Sequence, residues 1–154
     1  MWIKQLLLLV GVALAALGAQ AQTKAPAAGA AAIGYVKTVK GEAFVDSGGQ
    51  AIKAVEGTPL KVSDVIRTGA NGSVGITLKD NTVMSFGPST RFTLEEFLFA
   101  PAKGDLKLGG RLASGSLHYV SGLIAKAKPE AVNVKTPTGT IGVRGTRFVV
   151  VVAP

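Results

Sequence analysis

Few side chains of this 154-residue chain could carry acid–base or metal chemistry. It contains one histidine, His118, and no cysteine. A general base needs a nucleophile and an orienting group close by, and the residues around His118 supply no such ordered set. The absence of cysteine excludes thiolate metal sites, disulfides and cysteine nucleophiles. We therefore expect His118 to be an ordinary strand residue, and we predict no catalytic residue, no metal and no other cofactor.

Paired carboxylates are the other arrangement that could support catalysis, because glycosidases hold two carboxyl groups at a fixed separation across a cleft. The candidates are Asp64, Asp80, Glu95, Glu96 and Asp105. Asp80 and Asp105 stand in sequence turns, where a carboxylate has a structural role. Residues 139–145 are rich in glycine but lack the lysine and the serine or threonine that complete a phosphate loop. The sequence therefore predicts a protein that is not an enzyme, with no identifiable small-molecule substrate.

The charge of the chain favours anionic partners in general. The formal net charge is +8 at pH 7, which suits an acidic protein surface, an acidic glycan or lipid phosphate. Five basic residues are the candidates for an anionic-ligand face: Lys37, Lys40, Lys126, Lys128 and Arg147. The alternative is that these side chains are simply solvated.

The N-terminus indicates the compartment in which the chain works. Residues 1–21 contain one basic residue, Lys4, then an apolar run from Leu6 to Leu17, then the small residues Ala19 and Ala21. These are the three parts of a secretory signal peptide, and the run is shorter than the roughly 20 residues that span a bilayer. We expect cleavage after Ala21 and a periplasmic or secreted protein, with an uncleaved anchor as the alternative. Export argues against nucleic acid as a partner.

The elements that must position any binding residue are short strands. Residues 22–32 are small and rich in alanine, which predicts a flexible linker. From Ile33 onward apolar residues alternate with a period near two, and turn residues interrupt them every 6 to 12 positions. The pattern predicts one all-β domain over residues 33–154, built as a sandwich or roll, with a β-solenoid as the alternative. Residues 122–128 are the best candidate for a helix.

One hairpin can be predicted in detail. Leu78 and Met84 are large apolar residues that should face the same side of the sheet, and a two-residue loop would put them on opposite sides. A three-residue loop at Asp80–Thr82, with Leu78 opposite Met84, keeps them together. Asn81 tolerates the left-handed conformation that such loops often need.

Three segments of the chain follow the pattern of a known family: Gly34-x-Val36-x-x-Val39-x-Gly41-x-Ala43-x-Val45; Gly57-x-x-Leu60-x-x-x-Asp64-x-Ile66-x-Thr68-Gly69, continued by Asp80-Asn81-Thr82-x-Met84-x-Phe86; and Val134-x-Thr136-Pro137-x-Gly139-x-Ile141-Gly142-Val143-Arg144-Gly145-Thr146-x-Phe148. Over residues 33–152 the sequence resembles the FecR domain, a periplasmic module named after the ferric-citrate transport regulator. Ten residues match its motifs: Gly41, Gly57, Asp64, Thr68, Gly69, Thr136, Pro137, Arg144, Gly145 and Thr146.

The resemblance implies an all-β periplasmic domain that binds or senses other molecules and catalyses nothing. It also implies protein–protein contacts in envelope signalling, so an envelope protein is the expected partner. A basic-faced module that binds cell-envelope glycan or lipid is the alternative. In the regulator, a cytoplasmic segment and a membrane helix precede the domain, whereas the predicted signal peptide stands there in this sequence. The sequence stops at Pro154, where such domains commonly continue, so we expect either a last strand that lacks a partner on one side or a shortened version of the domain.

Arg144 is the charge with the clearest structural interpretation. It lies between Val143 and Gly145 in the closing motif, and a planar guanidinium can form two hydrogen bonds to a carboxylate. We predict that Arg144 holds the closing strand to an earlier turn through Asp64, Glu42 or the carbonyl groups of a turn. Contact with a ligand is the alternative.

Overall fold

The computed structural model describes residues 31–153, so the predicted signal peptide, 1–21, and nearly all of the predicted linker, 22–32, lie outside the described residues. The strands are β1 Gly34–Lys40, β2 Ala43–Ser47, β3 Gln50–Lys53, β4 Pro59–Leu60, β5 Val65–Thr68, β6 Ser73–Leu78, β7 Val83–Phe86, β8 Arg91–Ala100, β9 Asp105–Val120, β10 Val132–Thr136, β11 Gly139–Gly142 and β12 Arg147–Val152. The helix α1 spans Leu123–Ala127, inside the range predicted from the sequence. The prediction of an all-β domain is confirmed.

The strands form two halves that share β9. Sheet A has the order β4-β1-β6-β7-β9-β12, and sheet B has the order β3-β2-β5-β8-β9-β10-β11. The pairing of β9 with β10 is parallel and the other pairs are antiparallel. A solenoid stacks parallel coils, so this topology is that of a curled antiparallel roll.

One hydrophobic cluster lies between the two sheets. Alternate residues of sheet A, such as Ile76, Phe86 and Leu117, enter the same cluster as Ile66 and Phe92 of sheet B. The Phe86 and Phe92 rings meet across the sheets with their centroids 4.9 Å apart. Burial of one face of each strand explains the period of two in the sequence.

The sixteen-residue strand β9 corrects the expectation of uniformly brief strands. The sequence pattern predicts separate short strands for Leu106 and Leu108 near its start and for Leu117 and Tyr119 near its end. Gly110 is required there for packing, since a Cβ on it would lie 2.1 Å from the Phe92 ring. Gly115 has φ +88° and stands at the point where β9 passes from sheet B to sheet A. These glycines shape one continuous strand and do not end it.

The hairpin between β6 and β7 has the predicted loop length but a different position. The last hydrogen bond joins Leu78 N to Thr82 O, so the three loop residues are 79–81 and Ile76, not Leu78, pairs with Met84. Asn81 adopts φ +66°, as expected for such a loop. The predicted register is wrong by two residues. It still placed the apolar side chains on the correct face, because a shift of two preserves the alternation.

Asp80 explains the position of that loop. Its side chain is fully buried and accepts hydrogen bonds from Thr82 N at 3.1 Å, Thr82 Oγ1 at 2.7 Å and Ile124 N at 3.2 Å. Its carbonyl oxygen accepts from Leu123 N at 2.7 Å. One residue of the hairpin therefore closes its own turn and holds the first turn of α1 against sheet A.

Candidate interaction surface

The outer face of sheet B is covered with paired charges. Arg67 donates two hydrogen bonds to Asp46, at 2.6 and 2.7 Å, and lies over the Phe44 ring. Three further ion pairs follow on β8, β9 and β10: Glu95–Arg111, Glu95–Lys135 and Glu96–Lys107. Both signs of charge are interspersed, as on an ordinary solvated surface.

The Asp46–Arg67 pair makes stability depend on pH in a defined direction. The hydrogen bonds from Arg67 hold the pKa of Asp46 below its ordinary value. The ionised pair therefore contributes stability above the unfolded-state pKa, near pH 4, and loses it as the pH falls through the lowered native value. We expect Asp46→Asn to be less stable than the native chain at pH 7 and the difference to shrink below pH 4, measured by urea unfolding. A difference that stays constant down to pH 2 would contradict this.

The outer face of sheet A contrasts with that of sheet B. We call it the uncharged face, and its outward-pointing residues are Tyr35, Thr38, Ser73, Gly75, Thr77, Val83, Ser85, Ser116, His118, Val120, Val149 and Val151. The strand registers align them in rows: Thr77, Val83 and Val120 in one row, and Gly75, Ser85, His118 and Val149 in the next.

Large apolar groups stand exposed on the uncharged face. Val83 is 37% exposed, Tyr35 42%, Val149 53% and Val151 74%. The full charges at its margins, Lys40 and Arg147, are both basic. A face without charged side chains at its centre and with apolar groups in the open has the composition of an interface core with a polar rim.

A buried tyrosine supports the uncharged face from below. Tyr119 lies on the inner side of β9 and stacks on Phe148 of β12, with ring centroids 4.7 Å apart. Burial raises the pKa of Tyr119. The hydroxyls of Thr82 and Ser121 partly offset that rise, although neither forms a hydrogen bond of good geometry with Tyr119 Oη. The stacked rings fix β12 against β9 from the core side.

Strand β12 has one open edge. Among residues 31–153 it pairs only with β9, and its other side has no strand partner in this range. Val149 and Val151 project from this strand onto the uncharged face. The face and the open edge thus form one continuous surface.

The five basic residues proposed as an anionic-ligand face are divided among different places. Lys37 and Lys40 lie on β1, and Arg147 lies on β12. Strands β6, β7 and β9 separate the two groups, a distance of about 19 Å at the usual strand spacing. Lys126 and Lys128 belong to the end of α1. The strand order therefore does not gather all five into one patch, and a glycan or lipid partner is supported by net charge alone.

Several residues of the family motifs have structural positions. Gly41, Gly57 and Gly145 adopt positive φ of 64°, 90° and 112°, which glycine accepts without strain. Thr68 donates a hydrogen bond to Gly87 O at 2.6 Å and accepts one from Thr90 N at 2.9 Å.

Four further motif residues lie in tight contacts and turns. Gly69 packs against Glu42, since a Cβ on it would meet that side chain at 3.1 Å. At the hairpin of β10 and β11, Thr136 donates to Gly139 O at 3.0 Å across Pro137. Thr146 O accepts from Ser121 N at 2.8 Å where β12 begins. The motif positions thus account for turns and joints, none of which lies at the centre of the uncharged face.

The predicted role of Arg144 is wrong. Its expected partner Asp64 accepts a hydrogen bond from Lys61 N at 2.8 Å instead, and Arg144 forms no ion pair within residues 31–153. Arg144 is exposed and lines an open cleft of about 890 Å³ together with Glu130 and Asn133. The reason is geometric: Arg144 falls in the loop between β11 and β12 and not within a strand.

Sequence reasoning missed the uncharged face because it followed the apolar residues and ignored their neighbours. The signal was present in the alternate positions of sheet A, such as Val83-x-Ser85 and Ser116-x-His118, where strands of sheet B carry Arg, Glu or Asp.

Among the described residues no group of three His, Asp or Glu side chains is arranged to hold a metal ion. None of the helices in this range is long and apolar enough to cross a membrane.

Comparison with known proteins gives one family. A family model described as "FecR protein" matches residues 64–153. Comparison with curated proteins and with solved structures found no match. The matched range includes β5 to β12 and therefore most of the uncharged face.

Proposed function

The chain belongs to the FecR protein family, and from this we propose that it is an exported, non-enzymatic binding module whose protein partner docks on the uncharged face. The family acts in signalling at the cell envelope. The signal-peptide pattern of residues 1–21 supports a periplasmic location.

The contrast between the two outer faces is the observation that carries the proposal. Both sheets contribute apolar inner residues to one hydrophobic core, so the core imposes no difference on their outer residues. Sheet B carries ion pairs outside, whereas sheet A carries small and apolar residues around His118. Charged residues are depleted at the centres of protein interfaces, because burying an unpaired charge is costly.

The margins indicate the chemistry of the partner. Lys40 and Arg147 lie at opposite sides of the uncharged face, and both are basic. A complementary surface would be uncharged at its centre and acidic at its rim, since complementary rim charges steer association. The partner is therefore an envelope protein with an acidic margin around a neutral patch.

Two arginine variants test the location of the binding surface. Ser85→Arg places a charge at the centre of the uncharged face, and Thr93→Arg places the same charge at the centre of the outer face of sheet B. We expect Ser85→Arg to reduce recovery of the partner from envelope extract at least tenfold, because the new charge would be buried unpaired. Thr93→Arg should bind like the native chain. Equal recovery with both variants, each with a native circular dichroism spectrum, would contradict the proposal.

A further inference from the structure

We propose that two copies of this chain associate through β12, pairing antiparallel so that the two A sheets become one continuous sheet. The proposal concerns the open edge of β12 and is independent of the identity of the protein partner. It rests on the hydrogen-bonding pattern of β12, on the other edges of the fold and on the distribution of charge along the strand.

The free backbone groups of β12 can be assigned from its pairing with β9. Ser121 N donates to Thr146 O, which makes this pair one of the hydrogen-bonded pairs of the antiparallel ladder. Such pairs recur at every second residue. The N–H and C=O groups of Phe148 and Val150 therefore point toward β9, and those of Arg147, Val149 and Val151 point toward the open edge.

The other sheet edges of the described residues are short or interrupted, as is usual for edges exposed to solvent. The edge strand β4 has two residues, one of them Pro59. The part of β1 that extends past β4 has a bulge and carries Lys37 and Lys40. The edges of sheet B, β3 and β11, have four residues each. The part of β8 that extends past β5 begins with a bulge and two charges, Glu95 and Glu96, which leaves four uncharged residues, Phe97 to Ala100.

Strand β12 has neither a proline nor a bulge. It has six residues, Arg147-Phe-Val-Val-Val-Val152, and its single charge is at its start. A long apolar edge of this kind pairs with another strand unless something covers it. Since the remaining edges of this fold are protected, we infer that β12 is covered in the working protein.

The sequence of β12 complements itself in the antiparallel direction. If Val149 pairs with Val149 of a second copy, Arg147 of each copy lies opposite Val151 of the other, and about six hydrogen bonds form between the outward groups. The two Arg147 side chains then stand about 14 Å apart. This is more than the Debye length of about 8–10 Å at physiological salt, so their repulsion is largely screened. A parallel arrangement would place these arginines side by side and lose stability through repulsion.

The pairing is closed and keeps the two uncharged faces together. A two-fold axis perpendicular to the sheet relates the copies, so the contact uses up the open edge of both and stops at a dimer. The same axis places both uncharged faces on one side of the joined sheet, with Val149 and Val151 of each copy along the seam. A partner that binds there meets a surface twice as wide.

A proline substitution tests the proposal because it removes one N–H group. Val149 N–H points to the open edge, so Val149→Pro leaves the bonds to β9 intact, and proline is tolerated at edge positions of this kind. We expect the exported native protein to have twice the monomer mass by light scattering at about 100 μM, and Val149→Pro to weaken dimerisation at least tenfold.

A matched control and a second variant keep the test decisive. Ala51→Pro makes the same change in β3, the edge strand of sheet B, and should remain dimeric. If Val149→Pro does not fold, Val151→Lys provides the test of dimerisation instead. It places a lysine opposite Arg147 of the other copy, and repulsion between the two charges should weaken the dimer. A monomeric native protein, or a dimer that survives both β12 variants, would overturn the proposal.

Because Ser85 lies two strands from the edge, loss of partner recovery with Ser85→Arg in a dimeric protein reports on the proposed function alone.

Discussion

Replacing Asp80 with alanine should lower the free energy of unfolding by about 3 kcal/mol or more. The Asp80 carboxylate is fully buried and satisfies three donors, Thr82 N, Thr82 Oγ1 and Ile124 N. Alanine leaves these groups without a partner in a dry site, and an unsatisfied buried group costs about 1–3 kcal/mol. The measurement is equilibrium urea unfolding followed by circular dichroism. The loss should exceed that of any surface substitution, because the same residue joins the β6–β7 hairpin to α1.

A control variant separates this network from a general effect of charge. Asp105 begins β9 and is exposed, so Asp105→Ala should change the free energy of unfolding by less than about 0.5 kcal/mol. If Asp80→Ala were as mild as Asp105→Ala, the Asp80 hydrogen bonds would not be an important part of the fold.

Replacing Gly115 with alanine should destabilise the protein by about 2–5 kcal/mol. Gly115 has φ +88°, and a left-handed conformation costs a residue with a Cβ about 1–2 kcal/mol. The new Cβ would also lie 2.4 Å from the Cα of Thr90, a backbone atom that cannot rotate away. Forcing an additional carbon into a packed site costs about 1–3 kcal/mol more. The two effects coincide at the residue where β9 passes from one sheet to the other.

Gly48 provides the matched control for the steric part of that cost. It has φ +58°, but no heavy atom lies within 4 Å of a Cβ built on it. Gly48→Ala should therefore show only the conformational cost, about 1–2 kcal/mol. Equal losses of stability for the two alanine variants would mean that the contact between Gly115 and Thr90 does not constrain the bend in β9.

The alternation of residues in the sequence was sufficient to predict the fold class and the inward faces. Leu78 and Met84 were placed on the core side although their pairing was shifted by two residues, because burial depends on parity and not on register. The position of the loop could not be predicted. It depends on the bonds of Asp80 to Thr82 and to Ile124, which lies 44 residues further along the chain.

Contacts between residues far apart in the sequence also explain the other features that the sequence did not predict correctly. The continuity of β9 depends on the Phe92 ring, which occupies the space that a side chain at residue 110 would need. The role predicted for Arg144 failed because that residue falls in a loop, and its expected partner Asp64 accepts a bond from its own turn. The uncharged face requires the strand order, since only the order brings Val83, His118 and Val149 next to one another.

The open edge of β12 gives the family assignment a physical consequence. The family model matches residues 64–153, and this range ends within one residue of the last one in β12. A strand with outward backbone groups beside a face without charges provides both hydrogen bonds and apolar area to a second protein surface. These are the two contributions that a binding module needs from a sheet.

Site-specific photo-cross-linking in living cells is the most direct test of the uncharged face as the binding surface. A photoreactive residue would replace Ser85 in one strain and Thr93 in another, since both positions point outward from the middle of their sheets. The account predicts a cross-linked envelope protein from position 85 and none from position 93. Cross-linking of the same protein from position 93 and not from position 85 would contradict it.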